Sequence, residues 1–202
     1  MTYGAIALAP LLVCHELAGG VQPPTAEGED PAHDLVFFVI AGRKSDGTEI
    51  RQAVPNGGGH LKIENQRKGM FVKNTSLWKD NLKDGESVTL ILSVREQDEK
   101  DSAESDLADA SEVVKHVDAS KSLTELSHLP VHEILHGAHG DNDHIGTIVL
   151  RIKNEKGNVT LDSQPGADVR YLKGHRSNHE TKRAYRLNGN HSEYELHLSV
   201  GE

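Results

Sequence analysis

Ser87-Val88-Thr89-Leu90-Ile91-Leu92-Ser93-Val94 runs straight into Arg95-Glu96-Gln97-Asp98. The first eight residues are dense in β-branched and aliphatic side chains and come after the turn pair Asp84-Gly85, so they read as a strand. Side chains alternate across a strand with a period of two. Val88, Leu90, Leu92 and Val94 therefore share one face, and continuing that face reaches Glu96 and Asp98. The expectation is a buried strand that delivers two carboxylates where it leaves its sheet.

Working outward, Leu35–Ile40 is a second dense apolar run, closed by the turn-rich Gly42–Gly47. His60–Glu64 and Met70–Val72 read as shorter strands. Thr147–Lys153 and Asn158–Leu161 flank a turn at Asn154–Gly157. Ala184–Leu187 and Tyr194–Val200 flank Asn188-Gly189, whose dipeptide is the strongest short hairpin signal. Between the strand ending near Glu96 and the one starting near Thr147, the period changes. Leu107, Ala110, Val113, Val114 and Val117 recur at helical spacing, and Ser122-Leu123-Thr124-Glu125 matches a capping box before a second helix. Pro130 interrupts that helix. The chain thus reads as mainly β, an antiparallel β-sandwich with a helical insertion over about 101–140.

Two further segments lie outside this pattern. Gly4–Cys14 is apolar, too short to span a bilayer, and without the basic flank of a signal peptide. Gly19–His33 carries Pro23-Pro24 and several acids and reads as a spacer. Residues 1–33 are accordingly set apart from a domain at 34–202, with Ile6, Leu8, Leu11, Leu12 and Val13 expected to pack on that domain or on a neighbouring chain. No segment reads as a convincing signal peptide or transmembrane span, and the compartment is left open.

Composition narrows the class. The 202 residues include 22 Lys+Arg against 31 Asp+Glu, a formal net charge of −9. Such a balance excludes the basic face that phosphate backbones require, so no nucleic-acid partner is expected. It suits divalent cations or basic partners. Cys14 is the only cysteine and reads as a small buried apolar group. Trp78 reads as a core or edge-capping aromatic. Gly57-Gly58-Gly59 lacks the Lys-Ser/Thr of a phosphate-binding loop.

The chemistry-bearing residues fall in two groups. The first is acidic: Glu96, Asp98 and Asp101 after one strand, Asp141 and Asp143 before the next, with Asp46 available from an earlier loop. Ca²⁺ takes six to eight oxygen ligands, so acids converging from separate loops meet its needs. Val94–Asp98, an acidic loop, and Asn142-Asp143-His144-Ile145-Gly146 leading into Thr147–Leu150 together resemble the third calcium loop of C2-type domains. That resemblance implies a calcium-dependent module that binds a protein or membrane partner, or self-assembles. The chain departs from the C2 pattern in its long helical excursion and in the single aspartate of Gly42–Gly47. No basic strand face for acidic lipids is evident.

The second group is His132-Glu133-Ile134-Leu135-His136, which matches the zincin pattern. On a helix the two histidines share one face, with Glu133 as general base. His139, Asp141 or His144 would supply a third zinc ligand, and His128 adds to the local histidines. Pro130 and Gly137 confine the motif to barely two turns, so a polar surface helix is the favoured reading of it, ahead of a non-catalytic metal site and then of protease chemistry. The reading favours a calcium-binding module over the alternative, a small zinc metalloprotease.

Overall fold

The computed structural model describes residues 6–15, 33–55, 61–64, 76–96, 103–131, 134, 144–164, 169–170, 181–189 and 192–201. These form eleven strands and two helices: β1 (Ile6–His15), β2 (His33–Lys44), β3 (Glu49–Val54), β4 (Leu61–Glu64), β5 (Trp78–Asp80), β6 (Ser87–Glu96), α1 (Ala103–Val114), α2 (Leu123–Ser127), β7 (His144–Glu155), β8 (Asn158–Ser163), β9 (Val169–Arg170), β10 (Thr181–Gly189) and β11 (Ser192–Gly201). All the pairings among them are antiparallel. Sheet I runs β5-β1-β11-β10-β9, and sheet II runs β3-β2-β6-β7-β8 with β4 also on β2.

β6 shows why the sheets lie as they do. Val88, Leu90, Leu92 and Val94 join a buried cluster that also takes Phe38 and Ile40 from β2. The same cluster takes Ile6, Tyr185, Leu187, Tyr194, Leu196 and Leu198 from sheet I. The two sheets thus share one apolar core, as the alternation along β6 requires. Trp78 sits in this core and anchors β5.

The opposite face of sheet II carries a second cluster. Phe37, Val39, Ala41, Ile91 and Val149 pack against Ala110, Val113, Val114, Val117, Leu126 and Val131 of the helical excursion. Four of the five residues expected on the helical face are buried there. Leu107 is the exception, 49% exposed. Ser122 caps α2 with the full reciprocal box, its hydroxyl accepting from Glu125 N and the Glu125 carboxylate accepting from Ser122 N. No described helix is long and apolar enough to cross a membrane.

Three features differ from the sequence reading. Ile6–His15, set outside the domain, is strand β1, paired with β11 over Ala7–His15 and with β5 over Ile6–Leu8. Strand β3, whose residues are half polar, becomes visible only through its pairing with β2. The Asn188-Gly189 turn does not form: Gly189 pairs with Ser192, and the hairpin closes two residues later. Cross-strand packing explains the shift. The observed register sets Tyr185 opposite Leu196 and Leu187 opposite Tyr194. A turn at Asn188-Gly189 would set Tyr185 and Leu187 opposite polar residues, and buried cross-strand pairs outweigh a local turn preference. Met70–Val72 lies outside the described residues.

Candidate functional site

Strand β6 leaves sheet II beside the point where β7 begins. Val94 pairs with Gly146 and Arg95 with His144, so the register slips by one residue between them. Ile145 is the extra residue. It turns into the two-sheet core with Ile148, Leu150 and Ile152, although its parity is opposite to theirs. Such a bulge re-aims the side chains on either side of it. His144 and Thr147, three apart, consequently lie side by side, with His144 Nε2 2.8 Å from Thr147 Oγ1. Thr147 Oγ1 in turn donates to Ser93 Oγ at 3.5 Å.

Arg95 is the main charge of this sheet end. It is 2% exposed, and its guanidinium stands 5.9 Å from the ring centroid of its cross-strand neighbour Phe37. The aromatic face offers a cation partial compensation. Arg95 thus brings a positive charge to the sheet end where β6 finishes and β7 begins.

Beside this end, a cleft of about 170 Å³ opens between the α2 region and β7. Leu126, Leu129, Val131 and Val149 make its apolar walls, and His144 and Thr147 its polar side. Gln164 closes one margin. Its backbone N–H donates to Val149 O at 3.1 Å, and its side-chain Oε1 accepts from Val149 N at 2.7 Å, extending the β8 ladder by a side chain. The cleft is smaller than the ~300–1,000 Å³ typical of cofactor pockets.

The site residues read from sequence are placed unevenly. Glu96 is the last residue of β6, opposite Val36 of β2. Asp98, Asp101, Asp141, Asp143, His132, Glu133, His136 and His139 lie outside the described residues. Among the described residues, no group of three or more His, Cys, Asp or Glu is placed to hold a metal ion. Near the histidine motif, Ile134 N donates to Pro130 O at 3.0 Å.

Asp46 requires a correction. It sits in the turn after β2, at the Lys44–Val88 end of the sheet, whereas Glu96 pairs with Val36 at the other end. Eight residues of strand separate Val36 from Lys44, roughly 26 Å. Asp46 therefore belongs to no shared site with Glu96. Its carboxylate accepts from Thr48 N at 2.9 Å, and bonding to the Thr48 backbone and hydroxyl holds it below the usual carboxylate range.

Sequence reading passed over Arg95, Thr147 and Arg151. Their parity marks them as the polar side of alternating strands, which normally faces water. On β6 and β7 they share parity with Ile91 and Val149, which pack against the helical layer.

No protein-family model matches the chain, nor does any curated protein or solved structure.

Proposed function

We propose that this chain is a calcium-binding β-sandwich module of C2-like character, acting in ion-assisted binding of a protein or membrane partner or in self-assembly. Two antiparallel sheets that share one core support the sandwich reading. The Arg95–His144 rung carries the site reading. Asp98 comes three residues after Arg95, and Asp143 immediately precedes His144. Chain connectivity alone keeps their Cα atoms within about 11 Å and about 4 Å of that rung. In this reading Glu96, Asp98, Asp101, Asp141 and Asp143 are the oxygen ligands, and a hard divalent cation relieves the repulsion among them.

Titration with Ca²⁺, monitored by calorimetry and thermal melts, tests this. At free ion a hundred times the dissociation constant, the folded state gains roughly 2.7 kcal/mol. Asp98→Asn and Asp143→Asn should each abolish that gain. Unchanged melting across millimolar Ca²⁺ would refute the reading. Tightly held zinc, with chelator-sensitive peptide cleavage lost in Glu133→Gln, would replace it with the metalloprotease.

A further inference from the structure

We infer that the helical excursion is a cover that opens from sheet II as a unit and that Arg151 is its latch. Connectivity makes this cheap in hydrogen bonds. The excursion is inserted between β6 and β7, which are ladder neighbours from Ser87 to Arg95. Lifting α1 and α2 therefore breaks no rung of the sheet.

The face beneath the cover is built differently from the core face. Toward sheet I, β6 presents Val88, Leu90, Leu92 and Val94. Toward the helices it presents Thr89, Ile91, Ser93 and Arg95, with Thr147 and Arg151 continuing the polar positions on β7. Beside the apolar Phe37, Val39 and Ala41 of β2, these polar positions on β6 and β7 meet water at a smaller penalty than the aliphatic core face would.

The latch holds the turn between the two helices. Arg151 Nη2 donates to Ala119 O at 3.2 Å and to Lys121 O at 2.6 Å, while Nε donates to Thr89 Oγ1 at 3.0 Å. One rigid guanidinium thus ties two carbonyls of the cover to the sheet. Helices of twelve and five residues do not persist in water without packing, so opening melts them and exposes their amides.

Native-state hydrogen exchange on the full chain tests this. In wild type, the amides of Val113, Val114 and Leu126 should exchange about tenfold faster than those of Leu90, Leu150 and Leu196. Arg151→Met, which keeps the stem, should speed the helical amides by a further factor of about three to ten and leave Leu196 unchanged. Thr89→Val removes only the Nε anchor and should act in the same direction with smaller effect. One common protection factor for helices and sheets in wild type would overturn the inference. So would variants that speed all amides equally.

Discussion

A methyl group added at Gly42 would stand 2.6 Å from both Leu90 Cδ2 and the backbone oxygen Thr89 O. The same addition at Gly146 would meet Leu187 Cδ2 at 2.8 Å. The two sites differ in what has to move. At Gly42 the obstacle includes the backbone of a central strand, whereas at Gly146 the tightest contact is the end of the Leu187 side chain, with Leu187 Cβ behind it at 3.2 Å. Gly42→Ala is expected to cost about 1–3 kcal/mol, and Gly146→Ala less, as read by chemical denaturation. Equal losses at the two sites would contradict this account. Asn154 works at the same scale: it is buried, its Nδ2 donates to Leu82 O at 2.7 Å, and its Oδ1 accepts from Gly157 N at 3.0 Å. One carboxamide thereby joins the loop before β6 to the β7–β8 turn.

At the scale of the element, the cap of α2 links stability to pH. Hydrogen bonds from the Ser122 hydroxyl and then the Ser122 backbone hold the Glu125 carboxyl below its ordinary value of 4.5. A depressed folded-state pKa stabilises above the unfolded value and loses that contribution as pH falls through the folded one. Exchange of the Leu126 amide, relative to sheet amides at the same pH, is therefore expected to rise as pH falls below that ordinary value. Glu125→Gln should remove that dependence. Ser122→Ala should lower stability by about 1 kcal/mol by losing the cap itself. A pH response unchanged in Glu125→Gln would place its origin elsewhere.

For the molecule as a whole, β1 is decisive. It lies inside sheet I, bonded to β11 on one side and β5 on the other, and contributes Ile6 to the shared core. Removing residues 1–15 takes away the neighbour of the C-terminal strand and opens a long sheet edge, a template for aggregation. The truncated chain is expected to lose its cooperative melt in circular dichroism and to aggregate on size-exclusion chromatography. A monomer that melts as before would show sheet I to be complete without β1.

Local pattern was enough for β2, β6, β7, β8, β10 and β11, because short runs of β-branched and aliphatic residues bounded by turn residues favour strands. It was enough for the α2 cap as well, since Ser122 and Glu125 satisfy each other within a single turn. It did not suffice where the deciding partner is remote in sequence. β1 is a strand because β11 lies beside it, and β3 because β2 does. The Asn188-Gly189 turn yields to Tyr185 and Leu187 pairing with residues that a local reading does not bring opposite them. Arg95 is buried although it holds a polar position of β6, and the Arg95–His144 rung exists only once β6 and β7 are neighbours. Residue alternation is a local property of the chain, whereas register, edge and cover are set by which distant surfaces bury one another.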